Sequence, residues 1–160
     1  MDLSLFITAV GMDKIQRRIA HLMNDERPKV ITSLAIAREF GDLSENAEYK
    51  AARESQRAID SEIDYLRRRA AQLKVIDTTT IPKDLIRFGA YCHTRDTQTG
   101  EETCYHIVGV EELKFSEEEA VMPISVVSPI GQGLLGKKVG EIARISAPMG
   151  ERLLEVLKIR

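Results

Sequence analysis

Between Ala52 and Leu73 small or apolar side chains recur in steps of three and four residues: Ala52, Ser55, Ile59, Ile63, Leu66, Ala70 and Leu73. This is a heptad seam. It places one apolar stripe on a helix and leaves Arg, Glu and Asp on the other faces, so the segment must bury that stripe against a second helix. The spacing predicts a helix over 44–75, about 48 Å long at about 1.5 Å per residue. A partner precedes it. Met12, Ile15, Ile19 and Leu22 share one stripe, and Ile31, Leu34 and Ala37 continue it after a break. Pro28 restricts Arg27 and removes a backbone donor, which predicts a kink or restart there. Gly41 and Asp42 leave only a short connection, so the two helices run antiparallel. Residues 1–77 are expected to form a long helical hairpin with its tip near 41–44.

The rest of the chain has another texture. Thr78-Thr79-Thr80 ends the helical pattern and Pro82 blocks its return; four of the five Pro lie beyond residue 77. Segments 89–95 and 102–110 flank the turn-rich Asp96-Thr97-Gln98-Thr99-Gly100 and read as a β-hairpin. Ser128-Pro129 is an N-cap followed by Pro at the first helical position, and Gly136 suits the end of that short helix. Segments 142–146 and 152–158 flank a second turn, Ala147-Pro148-Met149-Gly150. Residues 82–160 are therefore expected to form a small α+β domain with a mostly antiparallel sheet and one short helix. The fold class is a helical hairpin followed by an α+β domain.

Composition narrows the function. With 23 basic and 25 acidic side chains and a net charge of −2, the chain lacks the basic surface that coats nucleic acid, although a patterned patch remains open. Aromatics are 5% with no Trp, which argues against a base-stacking platform. Two Cys make no disulfide framework. No apolar run is long enough to span a bilayer, and the first ten residues lack the basic start of a signal peptide, so a cytoplasmic location is expected.

Chemistry concentrates at the tip. Glu39, Asp42, Glu45 and Glu48 bring four acids into ten residues. Asp42 and Glu45 are three apart, and two converging carboxylates suit a hard cation such as Mg²⁺. The same residues also read as a capping box, with Asp at the N-cap and Glu at N3. Ser44 is an alternative cap that would leave both acids projecting. Lys50, Arg53 and Arg57 then follow on one face, with Arg38 at a similar height on the other helix. They fit a phosphate backbone, or ordinary surface pairing with Glu48, Glu54 or Asp60. Elsewhere, Cys92, Cys104 and His106 share a sheet face if the hairpin pairs near Gln98, but the spacing matches no standard zinc pattern, and buried Cys more commonly behaves as a small hydrophobe. Phe88, Tyr91, Tyr105 and Phe115 are too few for the aromatic pocket of a prolyl isomerase.

The run Ala37-Arg38-Glu39, then Gly41-Asp42-Leu43-Ser44-Glu45-Asn46-Ala47-Glu48-Tyr49, then Ala51-Ala52-Arg53-Glu54 resembles the signature of the bacterial Gre transcript-cleavage factors, most closely the GreA type. Residues 124–130 followed by Leu134-Leu135-Gly136-Lys137 are similar to the family's C-terminal signature. The resemblance implies a coiled-coil hairpin and an FKBP-like C-terminal domain. It implies that the globular domain docks at the rim of the RNA polymerase secondary channel, through the region of Ser128 and Pro129, while the hairpin reaches the active centre. Asp42 and Glu45 would then help hold a second Mg²⁺ shared with the polymerase, with Ser44 supporting the tip, and Arg38, Lys50, Arg53 and Arg57 would steady the backtracked RNA 3′ segment. By the same resemblance the chain is no enzyme itself, holds no cofactor alone, contacts no membrane and is a monomer when free. The rival within this resemblance is a channel-binding inhibitor that does not stimulate cleavage.

Overall fold

The computed structural model describes residues 2–41, 46–115 and 118–160. The chain forms two compact units, one of residues 13–72 and one that joins 1–12 to 73–160.

The helical unit contains most of α1 (Ala9–His21), a π-helical turn (Leu22–Glu26), α2 (Arg27–Arg38) and α3 (Ala47–Gln72). Ala52, Ile63 and Leu66 of the heptad seam are buried, Ile59 and Ala70 are half-buried, and Ser55 is exposed. α2 packs against α3, with Leu34 and Ala37 buried on its inner face. The restart expected at Pro28 is a new helix, α2, which opens at Arg27 with Pro28 in its first turn, directly after the π turn and with helical backbone throughout. A proline ring clashes with the carbonyl four residues earlier, here Asn24, and that residue lies in the widened π turn. One expectation is corrected here: the inner face of α2 reaches back four residues from Leu34, so the stripe continues through half-buried Val30 rather than Ile31, which is 41% exposed. Around it, Arg18 bridges Glu26 and Glu62, and Arg27 pairs with Asp60 at 2.8 Å.

The long helix is shorter than its apolar spacing predicts. α3 has 26 residues, about 39 Å. Lys74–Ile76 forms strand β2, which pairs in parallel with β1 (Phe6–Thr8) in the register Phe6↔Lys74, Ile7↔Val75, Thr8↔Ile76. The reason is burial. Ile7 is fully buried, and the Phe6 ring meets Phe88 edge-on at 5.5 Å. Residues 1–12 and 73–77 accordingly belong with the sheet unit, not with a hairpin ending at 77. Glu112 adds a polar tie to this end of the chain. Its buried carboxylate accepts hydrogen bonds from the Thr8 N–H (3.3 Å), the Thr8 hydroxyl and the Gly109 N–H (2.7 Å).

The larger sheet has five strands in the order β5-β4-β3-β7-β6, with β3 (Tyr91–Asp96) at its centre. β4 (Glu102–Val108) and β7 (Gly150–Ile159) flank it antiparallel; β6 (Ile142–Ala147) extends the β7 edge antiparallel, and β5 (Met122–Ser125) extends the β4 edge in parallel. One face buries Cys92, Tyr105, Ile107, Leu154 and Val156 together with Ile86, Phe88 and Leu134. The first hairpin closes on Asp96, whose carboxylate accepts from the Gln98 and Thr99 N–H groups at 2.9 and 3.2 Å. Those backbone bonds, and then Arg152, hold its pKa below the usual carboxylate range. Between β5 and β6 lies α4 (Pro129–Leu134), capped and terminated as its sequence predicts: Ser128 Oγ accepts from the Gly131 N–H at 3.1 Å, and Gly136 takes φ +81°.

Candidate functional site

At the tip, α2 ends in a tightened turn. Glu39 N–H donates to the Ile36 carbonyl and Phe40 N–H to the Ala37 carbonyl, at 3.1 and 3.2 Å, and Gly41 follows at φ +100°, a left-handed value that favours glycine. α3 then begins at Ala47. Its N-cap is Asn46, whose Oδ1 accepts the Tyr49 N–H at 3.0 Å, while the Asn46 carbonyl accepts the Lys50 N–H at 3.0 Å. The capping role that the sequence offered to Asp42 or Ser44 thus falls to Asn46 for this helix. Asp42, Ser44 and Glu45 themselves lie outside the described residues.

The cations fare differently from a paired surface. Tyr49 stands between two of them: Arg53 Nη1 donates to its hydroxyl at 2.9 Å, and the Arg38 guanidinium lies 5.8 Å from its ring centroid. Both arginines lower the phenol's pKa, Arg53 first through its hydrogen bond. Among the described residues no carboxylate pairs with Arg38, Lys50, Arg53 or Arg57, and Asp60 is taken by Arg27. The structure therefore brings Arg38 and Arg53 together across the hairpin, with Lys50 exposed beside them and Arg57 one further turn along α3. Asn46 and Tyr49 are the members that reading by charge missed. The available signal was an Asn immediately before the helical pattern, with an aromatic residue at the third position after it.

In the run Arg67-Arg68-Arg69 two arginines have partners on the helical unit itself. Arg68 pairs with Asp64 at 2.5 Å, and Arg67 donates to the Met23 sulfur.

In the sheet unit, both hydrogen-bonding functions of Ser128 are committed: its hydroxyl donates to the Ser125 carbonyl at 2.7 Å and accepts from Gly131. Pro129 lines a cleft of about 390 Å³ with Leu113, Pro123, Ile124, Ile130 and Ile145, and Arg152 also lines it. Among the described residues its lining includes no aromatic side chain.

The cysteine expectation is corrected by register. Cys92 pairs with Tyr105 and points into the core, whereas Cys104 pairs with His93 on the opposite face. Alternation then puts His106 with Cys104 and His93, not with Cys92. Cys104 Sγ lies 3.7 Å from His93 Nε2, to which Arg160 Nε donates at 3.3 Å; His106 stacks on Tyr91 at 3.9 Å, and burial lowers its pKa. Among the described residues no three His, Cys, Asp or Glu side chains converge as metal ligands. Burial pushes the Cys92 thiol up to about 12. A thiol reagent at pH 8 is therefore expected to titrate Cys104 alone in the native protein and Cys92 only in denaturant. Two equally fast thiols would contradict this packing.

No helix among the described residues is long and apolar enough to cross a membrane.

Comparison with known proteins accounts for both units. Residues 5–75 match the family model described as transcription elongation factor, N-terminal, and residues 81–160 match that of transcription elongation factor GreA/GreB, C-terminal. The chain is 42% identical over 154 residues to transcription elongation factor GreA of Orientia tsutsugamushi (strain Boryong), covering 96% of this chain and 94% of that one. It is 39% identical to GreA of Acidiphilium cryptum (strain JF-5), covering 96% of each. Among solved structures, that of GreA factor homolog 1 of Thermus thermophilus aligns over 98% of both chains at 20% identity with a TM-score of 0.43. On the sequence matches, which span both units, the chain belongs to the GreA/GreB family of transcription elongation factors.

Proposed function

We propose that this chain docks on RNA polymerase and stimulates the polymerase's own cleavage of backtracked RNA. The observation that carries the reading is the set of cations beside the tip. Arg38, Lys50, Arg53 and Arg57 have no carboxylate partners among the described residues, and Tyr49 holds two of them across the hairpin. Cationic groups without acidic partners among the described residues suit phosphate oxygens, and Lys50, Arg53 and Arg57 follow one face of α3 that tracks a strand. Directly before them in sequence stand Asp42 and Glu45. Their hard oxygen donors fit Mg²⁺, and Asn46 Oδ1 itself meets one first-turn N–H group of α3, that of Tyr49. Asp42 and Glu45 would help the polymerase hold a second Mg²⁺; in two-metal cleavage one ion supplies the attacking hydroxide and the other stabilises the leaving oxygen. The chain's own part is to supply carboxylates, to steady the RNA 3′ segment and to dock. For docking the apolar cleft beside Ser128 and Pro129 offers a surface that receives aliphatic side chains.

Adding the protein to a stalled, backtracked polymerase complex is expected to accelerate release of short 3′ RNA fragments; no acceleration at saturating factor would sink the proposal. Arg53→Glu is expected to raise the factor concentration for half-maximal cleavage about tenfold, from loss of a charge-assisted contact. That difference should shrink as salt is raised. An unchanged concentration dependence would remove Arg53 from the RNA-contacting set.

A further inference from the structure

The cleft beside Pro129 is bounded by β5, the start of α4 and β6, so it draws on the strands at both edges of the sheet. Ile124, Ile130 and Ile145 give it aliphatic walls. Two serines along it turn their hydroxyls to their own loop: Ser125 Oγ accepts the Val127 N–H at 3.2 Å, and Ser128 Oγ donates to the Ser125 carbonyl at 2.7 Å. Among the described residues that line the cleft, Arg152 is the one charged side chain. Its Nε lies 3.5 Å from Asp96 Oδ2, a long pairing, and the two terminal amino groups of its guanidinium have no partner among the described residues. Asp96 cannot give more, because its other oxygen already accepts the Gln98 and Thr99 N–H groups. The Arg152 side chain is 38% exposed, so an incoming group can reach it.

An apolar cleft with one incompletely paired guanidinium is a poor match for a phosphate backbone, whose charges repeat along the strand. It matches a protein surface that offers aliphatic side chains around a single carboxylate. The aliphatic groups would fill the cleft, and the carboxylate would take the free N–H donors of Arg152 where neighbouring apolar groups exclude water.

We infer that Arg152 is a specificity-determining residue for docking: it pairs with a carboxylate that stands among aliphatic side chains on the polymerase surface, and so fixes where the sheet unit seats. This rests on the function proposed above, which needs a docking surface and gives Arg152 no part in it.

The test uses the full chain and a backtracked polymerase complex. Displacement of labelled wild-type factor is measured at low and high salt for the wild type, Arg152→Gln, Arg152→Lys and Arg152→Glu, with thermal melting on the same samples. Arg152→Gln is expected to bind about tenfold more weakly at low salt, as for one lost charge-assisted hydrogen bond, and the gap is expected to narrow as salt is raised. Arg152→Lys keeps the charge and is expected to recover most of the loss, while Arg152→Glu binds more weakly than Arg152→Gln. All three are expected to melt like the wild type, since an exposed ion pair contributes little to stability. A photo-crosslinking residue in place of Met149, which is fully exposed next to Pro148 of the cleft, is expected to capture a polymerase segment that carries Asp or Glu among aliphatic residues. Changing that acid to Arg is expected to restore binding of Arg152→Glu. Wild-type binding by Arg152→Gln and Arg152→Glu would overturn the inference. So would a deficit that Lys does not repair, that salt does not change or that follows a lowered melting temperature, since each marks a merely structural role through Asp96. Capture of RNA or of a second copy of this chain, or failure of the charge exchange, would overturn it as well. If the wild type itself does not bind the polymerase, the functional reading falls and takes the inference with it; a wild type that binds no better than its Arg152 variants overturns the inference and leaves that reading standing.

Discussion

Asp42→Ala is expected to reduce stimulated transcript cleavage by about a hundredfold or more while leaving displacement of labelled wild-type factor from the polymerase unchanged, and Glu45→Ala is expected to do the same. Partners that merely orient a metal's ligands are worth about 10–100-fold, so removing a ligand should cost no less. A split between activity and docking follows from the proposed division of labour, in which the acids deliver charge and the sheet unit docks. Asp42→Asn refines the result. It keeps size and one oxygen but loses the charge, so it should remain impaired if the role is holding Mg²⁺. Full cleavage by both alanine variants would remove the carboxylates from the mechanism. Cleavage lost together with docking would turn the tip into a binding element only.

The second large effect concerns stability, and it lies in the sheet unit. Glu112→Ala is expected to destabilise the protein by about 3 kcal/mol, read from chemical denaturation. Its carboxylate is buried and takes three donors from Thr8 and Gly109, all of which the substitution leaves without an acceptor. Gly11→Ala probes the same contact from the other side. In most helices this exchange gains about 1 kcal/mol. Here a β-carbon at position 11 would come within 2.4–2.6 Å of the Glu112 side chain, which its hydrogen bonds hold in place, so a loss is expected instead. Stabilisation by Gly11→Ala would show that Glu112 moves aside freely and that its tie to Thr8 is weak.

Much of the architecture was legible because it rests on local periodicity. The seam of Ala52, Ile63 and Leu66, the Ser128-Pro129 helix start, the Gly136 stop and both hairpin turns are properties of neighbouring residues, and they appear where their patterns put them. The errors share a different cause. Lys74–Ile76 continues an apolar pattern that a helix or a strand can use, and pairing with Phe6–Thr8, nearly seventy residues earlier, makes it a strand. Ile31 was placed inward by stepping three residues back from Leu34, whereas the inner face of α2 reaches back four, to half-buried Val30. Cys92 and Cys104 were assigned to one face by assuming a hairpin register that the antiparallel pairing Cys92↔Tyr105 and His93↔Cys104 does not adopt.

The tip divides along the same line. The residue types alone determined that this chain carries paired acids with a run of cations behind them, because charge and spacing along one helix are one-dimensional facts. That Asn46 rather than Asp42 or Ser44 caps α3, that Tyr49 gathers Arg38 and Arg53, and that Asp60 spends its charge on Arg27 instead of on the stripe were decided only when two helices were laid side by side. Hydrogen bonds between arms depend on how far the backbones stand apart and how they are rotated, and no spacing within either helix contains those two quantities.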